Sequence, residues 1–232
     1  MKKSLLALCA VLALNTGARG QGLIISQYYE GTAGTNRALE LWNTTGSSID
    51  FSVTNLVIEN WFNGGAVANT LTIATGVVAA GDVFVITNTD AAGDAGLAAA
   101  GVTPDVDASG EAAMNYNGDD ALAILLGGTT SGGGTLQDSF GQRGVDPGSA
   151  WSNNGVSSAN QNIQLKPAIF AGDLVPDDAW DTSARFEFVS AADQTGAGFA
   201  GFGFAPVPEP TTSILLGVGL LTAGLGLRRK QS

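Results

Sequence analysis

The chain has 232 residues, 21 of them acidic and 10 basic, with no histidine and one cysteine. Between residues 22 and 206 there are twenty Asp and Glu against only Arg37, Arg143, Lys166 and Arg185, a net charge of −16. Such a surface repels nucleic-acid phosphates, and with no histidine and a single cysteine the His-based catalytic triads and the usual zinc ligand sets are excluded.

Lys2 and Lys3 precede an apolar run from Leu5 to Leu14 and the small-residue pattern Ala18-Arg19-Gly20. A basic start, an apolar stretch too short to span a bilayer and a cleavage-type sequence make a secretory signal peptide, expected to be cut after Gly20. Cys9 leaves with it, so the exported chain has no thiol and depends on packing rather than disulfides. Leu8, where a lipoprotein signal needs a small residue, argues against lipidation of Cys9. The 185 residues from 22 to 206 suit one domain burying about 70% of its unfolded surface. Solubility outside the cell accounts for the acidity; affinity for cations or cationic partners is the other reading.

Short apolar or alternating runs then follow one another, separated by Gly, Asn, Asp and Ser. They cover 23–29, 38–42, 55–62, 70–74, 82–88, 120–126, 135–140, 162–166 and 185–189. Their spacing predicts an all-β fold, an antiparallel sandwich or barrel rather than parallel β-α-β units. In "DVFVIT" both faces are apolar, which places that strand centrally. In "RFEFV" Phe186 and Phe188 alternate with Arg185 and Glu187, as in a half-buried strand. Glu40, between Leu39 and Leu41, is expected to point outward, while Trp42 and Trp61 serve the core or its rim.

One helix is predicted, over 91–100, in an alanine-rich segment that Gly93 and Gly96 interrupt. In "NYNGDDALAILL" Asn117-Gly118 predicts a two-residue hairpin turn joining a strand that ends at Tyr116 to the strand of 122–126. The glycines of 127–134 flank an exposed loop.

Asp119 and Asp120, with Asp105, Asp107, Asp177, Asp178 and Asp181 as further possibilities, are the candidates for calcium, a hard cation that takes several oxygen ligands. None has the twelve-residue calcium-loop spacing, and turn-forming and strand-ending carboxylates are the favoured account of them. A glycosidase pair of carboxylates can be drawn from so acidic a chain, but sequence gives no separation between them. "GAGFAG" at 196–201 has the glycine spacing of a dinucleotide site, yet no helix follows to receive a pyrophosphate. It reads as a flexible lead-in to the C-terminal segment.

The stretches "LIISQYYEGTAGTNRALELWN", "NYNGDDALAILL", "LQDSFGQRGVDPGSAW" and "NIQLKPAIFAGD" together resemble the lamin-tail domain of exported bacterial proteins. Glu30-Gly31, Ala38-Leu39-Glu40, Asn117 to Asp120, and Asp146-Pro147-Gly148 with Trp151 carry the likeness, over residues 22 to 190. The resemblance implies an immunoglobulin-like β-sandwich serving as a structural or interaction module. Gln27 departs from it, since an acidic residue is expected there.

The chain ends "VPEPTTSILLGVGLLTAGLGLRRKQS". Pro208-Glu209-Pro210, an apolar run from Thr211 to Leu227 and the basic cluster Arg228-Arg229-Lys230 resemble a PEP-CTERM sorting signal. The 17-residue run is about 25 Å long as a helix, a marginal span of a hydrocarbon core of about 30 Å. The basic cluster favours the cytoplasmic side, and the two prolines keep the tripeptide extended. The resemblance implies recognition by an exosortase, a membrane protease, after transient anchoring in the inner membrane.

Three segments are therefore expected: a signal peptide over 1–20, a lamin-tail-like domain over 21–204 and a sorting signal over 205–232. The expected function is a non-enzymatic module delivered to the cell surface or an exopolysaccharide (biofilm) matrix, with extracellular polysaccharide as a partner, no nucleic acid and no cofactor unless calcium. An extracellular hydrolase acting through carboxylates, and a calcium-binding adhesin, are the alternatives.

Overall fold

The computed structural model describes residues 22–32, 34 and 36–206. The expectations placed on Ala18, Gly20, Pro208, Glu209, Pro210, Arg228, Arg229 and Lys230 lie outside the described residues. Fourteen strands and two α-helices follow in chain order among them. They are β1 (Leu23–Glu30), β2 (Arg37–Asn43), β3 (Ile49–Asp50), β4 (Leu56–Trp61), β5 (Asn69–Ile73), β6 (Val77–Val78), β7 (Val83–Asn88), α1 (Ala91–Ala100), β8 (Val106–Asp107), β9 (Ala121–Leu126), β10 (Thr135–Phe140), β11 (Ser152–Asn153), β12 (Val156–Ser157), β13 (Gln161–Leu165), α2 (Thr182–Arg185) and β14 (Phe186–Ala191). Every apolar run predicted from the sequence falls on a strand, so the fold is all-β with few helices.

Two sheets carry the structure, one of six strands in the order β14-β13-β1-β2-β7-β8 and one of four in the order β10-β9-β4-β5. Between them lies one apolar core built by Ile25, Tyr28, Leu39 and Ile86 from the first sheet and Ile58, Ile124 and Phe140 from the second. Tyr28 stacks on Phe140 with ring centroids 4.4 Å apart, a geometry that adds to the burial of both rings.

The opening strand is not strictly alternating, and a bulge explains it. Ile25 pairs with Leu41 but Gln27 pairs with Glu40, so Ser26 is an extra residue that reverses the phase of the strand. Tyr28 thereby enters the core beside Leu39, while Gln27 and Tyr29 turn to the outer face of the six-stranded sheet.

All pairings are antiparallel except one. β7 and β8 run parallel, with α1 as the crossover that a parallel pair requires. The expectation that no β-α-β unit occurs is corrected at this point. The helix itself forms over the predicted residues: Asp90 accepts from the N–H groups of Ala92 and Gly93, and Gly101 closes it in the left-handed region at φ 76°.

The hairpin expected at Asn117-Gly118 does not form. Neither residue has a positive φ, and residues 112–114 make a 3-10 turn rather than a strand. Side chains pin this loop instead of a partner strand. The Asp120 carboxylate accepts the Asn117 N–H at 2.9 Å, and the Gly118 carbonyl accepts from the Trp151 N–H at 3.1 Å.

Candidate functional site

Residues 192–206 form a strap over the outer face of the six-stranded sheet. Phe199 and Phe202 are buried there with Tyr29, Ala38, Val85 and Leu97, and Phe199 stacks on Tyr29 at 4.2 Å. The glycine-rich stretch read as a flexible lead-in is therefore packed structure. Two phenylalanines three residues apart supply the apolar anchor, and Gly201 between them lets the backbone lie close to Gln27 on the sheet.

Polar side chains fix the strap's backbone. Asn162 Nδ2 donates to the carbonyls of Gly198 (2.8 Å) and Ala200 (2.9 Å), and Gln27 Nε2 donates to Ala200 (2.7 Å). An amide is needed at Gln27, because a carboxylate in its place would face carbonyl oxygens with no proton to give. Glu40 accepts from the Ser26 hydroxyl at 2.7 Å and from the Gly203 N–H at 2.6 Å. It points away from the core as expected, but the strap covers it completely. Burial pushes its carboxyl up to about 7, against the opposing pull of the Ser26 and Gly203 donors.

Most of the calcium candidates, Asp119 and Asp178 apart, are spent on loop geometry. Asp120 is buried, accepting the Asn63 and Asn117 N–H groups through its two oxygens at 2.9 Å each, and burial raises its pKa. Asp119 beside it is buried, with Oδ1 unpartnered among the described residues. Asp105 holds the Val85 N–H, Asp107 the Ser109 N–H and Asp181 the first turn of α2, while Asp177 pairs with Arg143. Among the described residues no group of three or more carboxylates is arranged to hold a metal ion. The buried pair Glu30–Arg37 (3.0 Å) closes the loop between β1 and β2.

The strap's last described residue, Pro206, is buried. Beyond it residues 206–230 match the family model of the PEP-CTERM protein-sorting motif. The chain carries an exosortase sorting signal. This PEP-CTERM segment directs an exported protein to the cell surface through processing by a membrane enzyme of the exosortase type, and it begins where the strap ends. No curated protein and no solved structure matches the chain. Among the described residues no helix is long and apolar enough to cross a membrane; the apolar run 211–227 lies outside them.

Proposed function

We propose that the protein is an exported, non-catalytic surface module. It enters by a signal peptide ending at Gly20 and folds as an immunoglobulin-like sandwich of the lamin-tail type. The apolar tail holds it briefly in the inner membrane, and an exosortase releases it to the cell surface or an exopolysaccharide matrix, where it takes a structural or binding role without a cofactor. The observation that carries this reading is the junction at Pro206, where the packed strap abuts the matched sorting segment with only Val207 before Pro208.

Glu209 is the informative residue, since a charge between two prolines that hold an extended backbone is what a recognising site can pair with. Replacing Glu209 by Ala, or Pro208 and Pro210 together by Ala, is expected to leave full-length protein in the inner-membrane fraction. The unaltered chain is expected to lose residues 211–232, or nearly that segment, and to be recovered beyond that membrane. Intact-mass measurement of both fractions decides it: a wild-type chain that keeps Arg228 to Lys230 at steady state in its native host has a plain anchor. The processed protein is also expected to release no product from polysaccharide substrates and to show no heat of calcium binding in calorimetry.

A further inference from the structure

The outer face of the four-stranded sheet, on the far side of the molecule from the strap-covered face, carries a groove of about 450 Å³. Small-ligand sites fall within about 300–1,000 Å³. Glu59 and Trp61 stand two residues apart on β4, hence on one face, and Thr70 of β5 lies directly across from Glu59. The walls are the loop carrying Thr130 and the segment carrying Arg143, and Val67 lies at the rim, 82% exposed.

Two charged side chains are fixed in this groove without pairing to each other. Glu59 is 4% exposed and is held by the Thr130 N–H (3.1 Å) and hydroxyl (2.5 Å). No cation pairs with it among the described residues. A carboxylate has about four acceptor positions, so acceptor capacity remains. Arg143 lies over the Trp61 ring, 5.6 Å from its centroid. Its Nε and Nη2 are both fixed at 2.7 Å on Asp177, which leaves Nη1 without a hydrogen bond among the described residues.

We propose that this groove binds a neutral saccharide. Sugar hydroxyls donate and accept at once: one can donate to the accessible edge of the Glu59 carboxylate in a charge-assisted bond while another accepts from Arg143 Nη1. The threonine hydroxyls serve either role, and the C–H face of a sugar ring has Val67 and the Arg143–Trp61 stack to pack against. Charge selects the class. Asp177 pairs with Arg143, Glu59 makes no direct ion pair among the described residues and the module carries −16, so phosphorylated ligands and uronate polymers are repelled. A basic side chain would satisfy Glu59 but offers Arg143 Nη1 no acceptor.

This assignment adds a ligand to the surface-module reading and shares with it only the premise that the groove faces the outside; binding in vitro tests it independently of sorting. Native gels in mild non-ionic detergent, loaded with the full chain and containing dextran, galactomannan or a mixed-linkage glucan, supply the probe, with alginate as the anionic control. At least one neutral polymer is expected to retard the protein. Glu59→Gln and Arg143→Gln are each expected to weaken that retardation at least about tenfold, with circular dichroism confirming their fold. Val67→Asp, on an exposed rim residue, keeps the test intact should either buried-groove variant misfold, and is expected to weaken binding as well. Retardation by no neutral polymer, by alginate alone, or by a neutral polymer but undiminished in every folded variant would overturn the assignment. So would a basic peptide whose binding, rather than a saccharide's, depends on Glu59.

Discussion

The carboxylate of Asp138 is fully buried and accepts the backbone N–H groups of Ile25 (2.8 Å), Asp173 (2.6 Å) and Ser139 (3.0 Å), with Arg185 Nη2 at 3.0 Å. One side chain thus ties β10 to β1, to the loop before α2 and to the last residue of α2. Burial pushes its pKa up to about 6, although the Arg185 guanidinium and the N–H donors pull it down. Asp138→Ala would leave the half-buried Arg185 guanidinium and three N–H groups without their acceptor, and is expected to cost about 3 kcal/mol in urea denaturation, the low end for breaking a buried pair. The sequence shows a carboxylate on a strand in "LQDSF"; it does not show whether that face is covered. The same gap explains Glu40, whose outward direction follows from alternation. The strap residue that buries it, Gly203, lies 163 positions later.

At the scale of elements, α1 and the strap hold each other on the sheet. A Cβ added to Gly96 would lie 2.2 Å from the Gln194 carbonyl oxygen, so the glycine that weakens the helix by propensity is where the strap crosses it. Gly96→Ala gains about 1 kcal/mol of helix propensity yet is expected to lower stability by about 1–3 kcal/mol, and a raised thermal midpoint would contradict the crossing. Phe199→Ala is expected to cost about 3–5 kcal/mol, with proteolysis in the strap appearing before global unfolding. Nine runs and one helix were readable in the sequence because hydrophobic periodicity is local. Two-residue strands such as β3 and β6, or β11 and β12, carry no period to read. The strap was misread because "GAGFAGFG" has the composition of a linker, and its only ordering signal was the spacing of Phe199 and Phe202. Of the groove, Glu59 and Trp61 share a face by alternation, but Arg143 and Thr130 come to it from loops whose path the sequence does not encode locally.

For the molecule as a whole, the buried carboxylates set the direction of the pH response. Glu40 and Asp138 titrate at about 7 and about 6 when folded, against 4.5 and 3.8 ordinarily. The folded protein therefore holds protons that the unfolded chain has released, and this stabilisation, complete below about 4, is lost as pH rises through 6 and 7. Exposed Asp50, Asp90, Asp107, Asp177 and Asp193 have lowered pKa values, and their contribution is lost only as pH falls below 3.8. The urea midpoint is expected to be higher at pH 5 than at pH 8, with an unfolding free energy larger by a few kcal/mol at most since one pKa unit is about 1.4 kcal/mol. Glu40→Gln is expected to flatten the slope, and a midpoint that climbs from pH 5 to 8 would contradict it. The strap also fixes a clearance. Pro206 is packed on the module, and the apolar run begins five residues later at Thr211. An extended chain covers at most about 3.6 Å per residue, so under the proposed anchoring the module would stand no more than about 18 Å from where that run enters lipid. A folded domain of this length has a radius of gyration of about 16 Å. Under that anchoring the gap would admit no second globular body, and the enzyme that removes the tail would have to arrive sideways, in the plane of the bilayer.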